Sequence, residues 1–228
     1  MPANAKQRSM AQAFFITGTD TEIGKTHATC ALLATAARQG LRAVALKPVA
    51  AGIDATGRND DVVRLMAASN VALPERTVNP WLLQDPLSPH IAARLAGVEI
   101  AIEPIAQSFS AGQAVADLIL VEGVGGLYAP LSETLTQPDL IKALDLPVIL
   151  VVGLRLGCLN HALLTADAIQ RHGLRLAGWI GNRIDSAFQA LEDNLRTLEV
   201  GLKAPCLGIL PYATTADTAL ASRLSLPQ

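Results

Sequence analysis

An α/β fold, with a mostly parallel central sheet and helices on both faces, is predicted by three observations. Short runs of continuous apolar residues recur along the chain. Runs without polar alternation mark strands that are covered on both faces. Segments rich in helix formers lie between those runs, so strand and helix alternate, as a parallel sheet requires.

The elements follow in order. AFFIT (Ala13 to Thr17) is the first strand. GTDTEIGKT (Gly18 to Thr26) comes next, and THATCALLATAARQ then forms a helix that stops at Gly40, a C′ glycine. AVAL (Ala43 to Leu46) is the second strand, and Pro48 takes the chain out of the sheet just after Lys47. NDDVVRLMAAS opens on Asn59, Asp60 and Asp61, residues suited to a helix N-terminus. Val71 to Pro89 carries four prolines and reads as an ordered excursion across one end of the sheet, not a domain break. LILVEG from Leu118 and PVILVVG from Pro147 are two further buried strands, with GWIGN from Gly178 and CLGIL from Cys206 as weaker members. NHALLTADAIQRHG is a helix ending at Gly173, and SAFQALEDNLRTLE is an amphipathic surface helix.

Composition bounds the rest. A chain of 228 residues, half of them apolar and 17% charged, is globular and long enough for one domain with a large core. Residues 1–12 (MPANAKQRSMAQ) read as a disordered tail without an apolar signal region, and 13–228 as a single domain. A net charge of −2 without a basic run argues against nucleic acid or a membrane surface as partner. Cys30, Cys158 and Cys206 form no CxxC, which fits neither a zinc site nor a disulfide framework and agrees with a reducing cytoplasm. No apolar run approaches the ~18 residues of a membrane-spanning helix.

GTDTEIGKT fits G-x-x-x-x-G-K-[ST], the P-loop pattern, between a strand and a helix as that pattern demands. Gly18 and Gly24 allow a tight turn whose amides form a nest for phosphate oxygens, and the following helix adds its positive end. Lys25 would reach the β- and γ-phosphates, and the Thr26 hydroxyl would ligate Mg²⁺. Glu122 closes its strand at the carboxyl end, where ligands sit in open parallel sheets, and the glycines of EGVGG allow a close approach. Asp61 is a second candidate magnesium ligand, with helix capping as its alternative use. Lys47, at the end of the second strand, is either a solvated edge residue or a group that binds an anion developing during reaction. The four histidines, His27, His90, His161 and His172, lack metal spacing. They and the cysteines read as structural.

These segments resemble the dethiobiotin synthetase family. The resemblance runs from about Phe14 to Tyr212, through FFITGTDTEIGKTHATCALL, ALKPVAAG, RNDD, NPWLLQDPLSPHIAA, LILVEGVGGLYAPL, LPVILVVGLRLGCLNHALLTADAI, LAGWIGN and APCLGILP. It implies a single-domain P-loop NTPase-like fold. It also implies an ATP- and Mg²⁺-dependent ligase that carboxylates 7,8-diaminononanoate with CO₂ and closes the ring. The products would be dethiobiotin, ADP and phosphate, in biotin synthesis, with a cytoplasmic homodimer whose active site lies near the subunit interface. The resemblance assigns Lys47 and Thr21 to the carbamate, Lys25 to the γ-phosphate, and Thr26, Asp61 and Glu122 to magnesium. It places Glu22 in the active site. The ATP site would comprise Glu22, Ile23, Gly24, Lys25, Thr26, His27, Glu122, Gly123, Val124 and Gly125, with Asn182, Arg183, Leu210, Pro211 and Tyr212 around the base. Leu156, Gly157, Cys158 and Asn160 would bind the substrate's carboxylate across the dimer.

Two positions depart from the family pattern. Ala51 stands where a hydroxyl residue is usual, and Asn194 stands where a tyrosine can touch the partner's substrate. Two competing readings share the P-loop. A partner-regulated ATPase switch typically carries a lysine just after the first loop glycine, where this chain has Thr19. A carboxylate amidase usually brings a glutaminase domain, for which this chain has no room.

Overall fold

The computed structural model describes residues 11–212 and 224–227. Six parallel strands form the central sheet: β1 (Gln12–Gly18), β2 (Ala43–Leu46), β5 (Leu118–Glu122), β6 (Val148–Leu154), β7 (Leu176–Arg183) and β8 (Cys206–Leu210). Their order is β2-β5-β1-β6-β7-β8. The chain leaves β1 towards one side for β2 and returns on the other side for β6. A crevice therefore opens at the carboxyl end of β1, where such sheets bind ligands.

The apolar runs are continuous because successive side chains go to opposite, equally buried faces. Phe15 joins Val44, Ile119 and Val121 on one face, against Ile105 and Phe109 of α5 (Ile102–Val115) and Ile141 of α6 (Gln137–Leu144). Phe14 and Ile16 point the other way, against Leu32 and Leu33 of α1 (Lys25–Arg38) and Leu65 of α2 (Asp60–Ala68). A third cluster packs Val152 and Trp179 under α7 (Cys158–Arg171) and α8 (Leu191–Leu202). Among the described residues no helix is long and apolar enough to cross a membrane.

Several boundaries differ from the sequence reading. Residues 1–10 of the expected tail lie outside the described residues, but Gln12 opens β1, its amide donating to the Asp117 carbonyl at 2.9 Å. Helix α8 starts at Leu191 rather than near Ser186, because Ala190 sits in the left-handed region at φ 51°. The proline-bearing excursion contains α3 (Glu75–Val78) and β4 (Trp81–Leu83), and β4 pairs with β3 (Val49–Ala51) in a second, two-stranded parallel sheet. It is followed by α4 (Pro89–Leu95).

Helices α5 and α6 escaped the sequence reading. Pro104 falls in the first turn of α5, where a missing N–H costs nothing. Helix α6 starts at a Thr136–Asp139 capping box with Pro138 at its front.

Candidate active site

The carboxyl ends of β1, β2 and β5 bring five predicted residues into one cluster. Lys25 and Thr26 open α1, Lys47 follows β2, Asp61 lies in the first turn of α2, and Glu122 ends β5. Glu122 is fully buried and Lys47 is 3% exposed. The Lys47 ammonium donates to Glu122 Oε1 at 2.8 Å, Asp61 Oδ2 at 3.1 Å and the Gly123 carbonyl at 3.2 Å. All three of its protons are thereby used. Burial by itself would lower the Lys47 ammonium. The charges of Glu122 and Asp61, with their hydrogen bonds, outweigh burial and hold it above the ordinary lysine value.

The two possible uses of Asp61 are thereby separated. Asn59 is the cap of α2, accepting from the Val62 amide. Asp61 instead faces Lys47 and Thr26. Burial would raise its carboxyl, but the Lys47 charge and hydrogen bonds from Thr26 and Lys47 hold it below the ordinary value.

The Thr26 hydroxyl lies 2.7 Å from both Asp61 Oδ1 and Glu122 Oε1. A hydroxyl has one proton, so it can serve only one carboxylate at a time. Three hard oxygen donors thus converge, and their two carboxylate charges meet the single ammonium of Lys47. That donor set fits Mg²⁺. Thr29, one turn along α1, donates to Glu122 Oε2 at 2.7 Å and fixes the carboxylate's second oxygen.

Lys25 is 7% exposed and its Nζ donates to the Asp20 carbonyl at 3.0 Å. Burial, and then repulsion from Lys47, lower its pKa to about 8. The Glu122, Asp61 and Asp20 charges oppose that lowering without cancelling it, so a phosphate would further stabilise the ammonium.

A cavity of about 760 Å³ opens over this cluster. Thr21, Glu22, Gly24, His27, Ala51, Val124 and Gly125 line it, as do Lys25, Thr26, Lys47 and Asp61. Glu22 adopts φ 58°, a left-handed conformation that a glutamate holds only at some cost. At Gly24 (φ 83°) a Cβ would come within 2.1 Å of the Asn182 amide nitrogen. Only glycine fits there, because Asn182 reaches across from β7 to donate to the Ile23 carbonyl at 2.8 Å. Ile23 itself is buried in the core.

Other candidates sit apart from this cavity within the chain. Leu210 is buried in the core, and the Arg183 guanidinium donates to the Ser186 carbonyl at 2.8 Å. Pro211 is half-buried and Tyr212 exposed. Leu156 is 91% exposed, whereas the Cys158 side chain is buried under α7 and its amide donates to the Arg155 carbonyl at 3.0 Å. Its side chain therefore packs in the core, and any contact with a substrate would come from the backbone of this segment. Gly157 caps α7 at φ 92°, and Asn160 is exposed. Asn194 turns back on α8, donating to the Ala190 carbonyl. Cys30 is also inert, since burial pushes its thiol up to about 12.

Sequence reasoning missed Gln137. It is fully buried, accepts from the Val124 amide at 3.0 Å and donates to the Val124 and Gly126 carbonyls, so it pins the loop after Glu122. At Gly123 a Cβ would meet its Oε1 at 2.2 Å. No local motif marks a glutamine that acts 13 residues from its partner. Thr29 was missable for a simpler reason: inside a helix-forming run it looks like filler, and only the fold brings Glu122 beside it.

Known proteins resemble this chain along most of its length. The family model described as an AAA domain matches residues 12–219. The ATP-dependent dethiobiotin synthetase BioD of Ralstonia nicotianae is 53% identical over 211 residues, which cover 91% of this chain and 92% of that protein. Its namesake in Aromatoleum aromaticum is 49% identical over 220 residues, covering 95% of this chain and 98% of that protein. Among solved structures, a ParA family ATPase from Chlorobium tepidum TLS matches with a TM-score of 0.56 and 14% identity, covering 93% of this chain and 90% of that one. The MinC:MinD cell division complex of Aquifex aeolicus matches with a TM-score of 0.55 and 19% identity, covering 90% of this chain and 83% of that one. At such identities these structures share the fold alone.

Proposed function

The chain belongs to the ATP-dependent dethiobiotin synthetase family, and from that premise we propose that it carboxylates 7,8-diaminononanoate with CO₂ and closes the cyclic urea of dethiobiotin at the expense of ATP. The observation that carries the reading is the meeting of two buried lysines, Lys25 and Lys47, with Thr26, Asp61 and Glu122 under one cavity.

One amine of the substrate takes up CO₂ and loses a proton, giving a carbamate. A carbamate oxygen attacks the γ-phosphorus of ATP, the bond to the β-phosphate oxygen breaks, and ADP leaves. The second amine then attacks the carbamoyl carbon of the mixed anhydride and expels phosphate. Such chemistry needs positioning and charge neutralisation more than covalent help from the protein.

Each residue has a part in that scheme. The loop amides and Lys25 hold the β- and γ-phosphates. Lys47, with Thr21 beside the cavity, binds the carbamate and neutralises it as it attacks. Glu22 faces the reacting groups. Thr26, Asp61 and Glu122 would hold Mg²⁺, which when bound supplies charge neutralisation at the phosphates. Lys47 now occupies that negative pocket with its own charge, so it can turn to an incoming anion once another cation balances the carboxylates. Asn182, Arg183 and the segment from Leu210 to Tyr212 border the adenine, Asn182 through its amide. Leu156, Gly157, Cys158, Asn160 and Asn194 lie away from the cavity in one chain, which supports a homodimer in which this segment and Asn194 meet the partner's substrate. The composition and charge are compatible with a cytoplasmic setting.

Phosphate release from ATP and Mg²⁺, measured with and without diamine and bicarbonate, tests the reading, with mass spectrometry of the products. Release that needs both additions, and one dethiobiotin per ATP, is the expected result. Hydrolysis indifferent to the diamine and without a urea product would overturn it, leaving a partner-regulated ATPase.

A further inference from the structure

The P-loop is tied to the end of β6 as well as to its own helix. The Thr19 amide donates to the Val151 carbonyl at 3.0 Å, and the Gly153 amide donates to Thr19 Oγ1 at 3.3 Å. Two residues beyond Gly153, the Arg155 guanidinium donates to Asp20 Oδ2 at 2.7 Å. Both side chains are nearly half exposed. As a contribution to folding, such a pair would count for little.

Its other connections give it a different meaning. Asp20 Oδ1 accepts from the Thr21 amide at 2.8 Å, and the Asp20 carbonyl accepts from Lys25 Nζ at 3.0 Å. That amide and that carbonyl belong to one peptide unit, which is planar. Fixing the direction of its N–H therefore fixes the direction of its C=O. Arg155 holds the carboxylate, the carboxylate holds the N–H, and the C=O holds the lysine. The loop needs such an anchor, because Thr21 and Glu22 are exposed and Glu22 is in a left-handed conformation.

We propose that Arg155 is a positioning residue for phosphoryl transfer, acting through the Asp20–Thr21 peptide to set where the Lys25 ammonium points. This deepens the function proposed above and rests on it for the identity of the transfer. Arg155 immediately precedes Leu156 and Gly157, the residues assigned there to the partner's substrate. The chain therefore links the aim of its phosphate lysine to the segment that meets the diamine.

The test uses the full chain with Arg155→Ala, Arg155→Lys, Asp20→Asn and the Arg155→Ala/Asp20→Asn pair. Steady-state phosphate release gives kcat and KM for ATP, and calorimetry with ADP reports whether each variant retains a competent loop. Arg155→Ala is expected to lower kcat by about tenfold, as displaced reacting groups do. ADP affinity should change by less than about fivefold, the range of an exposed ion pair. Arg155→Lys should recover most of kcat, and the double variant should be no worse than either single one, as expected of residues acting in series. The Lys25 ammonium resonance in the ADP complex should shift in Arg155→Ala and return in Arg155→Lys. An unchanged kcat and resonance in Arg155→Ala would overturn the proposal, as would losses that multiply in the double variant. Equal loss of ADP binding and stability would overturn it too, by showing a merely structural role. Failure of the unaltered chain to make dethiobiotin overturns the function proposed above instead, and the lysine resonance still decides the positioning role.

Discussion

At the carboxyl ends of β1, β2 and β5, the charged groups find their partners within the chain. Lys47 is matched by Glu122 and Asp61, and Glu122 by Thr26 and Thr29 as well. The region after β6 is built the other way. Leu156 is 91% exposed, and Leu164 on α7 is 60% exposed. Side chains of this kind on one rim gain free energy only when something covers them. The contrast teaches a division of labour: one region matches its charged groups with one another, while the other leaves Leu156 and Leu164 short of covering partners among the described residues. On the proposed reading, a second copy supplies them.

The sharpest break in that comparison is Lys47→Gln. It removes the charge that balances two carboxylates and, on the proposed reading, the carbamate. Turnover is expected to fall by about 10³, the scale for losing a preorganised group in a water-poor site. ADP binding should persist, since Lys25 and the loop amides remain. Turnover within tenfold of the unaltered chain would show that the buried cluster is structural.

Glu122→Ala attacks the same cluster through stability. It leaves Lys47 buried with a single, partly exposed carboxylate. Breaking one side of a buried pair costs about 3–5 kcal/mol. Urea unfolding should show that loss, and Glu122→Ala combined with Lys47→Met should recover part of it, because no buried ammonium is then left unmatched and Asp61 is partly exposed to water. A double variant as unstable as the sum of the two would mean that the groups do not act as a pair.

Much of this region was legible from the sequence because its chemistry is local. The loop is contiguous, and the strand ends that carry Lys47 and Glu122 are marked by Pro48 and by the glycines after Glu122. Four strands of the central sheet were visible as continuous apolar runs and β7 and β8 as weaker ones, since a sheet covered on both faces needs no alternation. What stayed hidden depends on packing at long range. Gln137 and Thr29 serve Glu122 and its loop from other elements, and Asn182 explains Gly24 only once β7 lies against the loop.

The exposed region is probed by Leu156→Asp and Leu164→Asp. Each places a charge on a surface whose apolar character is its only evident asset. On the proposed homodimer, light scattering should show both variants shifted towards monomer; activity of Leu164→Asp should fall about tenfold at low protein concentration and recover as concentration rises, whereas Leu156→Asp, at a residue assigned to the partner's substrate, should stay impaired. ADP binding should stay unchanged, since the cavity lies wholly within one chain. A dimer that survives both substitutions would place the interface elsewhere.

The smallest expected effect is a gain, and it asks whether the self-sufficient region is fully optimised. Ala51 ends β3 and lines the same cavity as Lys47, at the position where the family resemblance implies a hydroxyl residue. It is half-buried, and a serine adds one oxygen at a position that lines the cavity. A new hydrogen bond to the substrate is worth about 0.5–1.5 kcal/mol, which corresponds to a two- to tenfold fall in KM for the diamine. The same bond in ground and transition states leaves kcat unchanged. Ala51→Ser should therefore lower KM for the diamine alone, with KM for ATP and the dimer unaffected. A gain in kcat would mean that the hydroxyl touches the reacting carbamate rather than the bound substrate. No change at all would mean that water already fills the position, so that the cavity is as complete as the ion cluster beneath it.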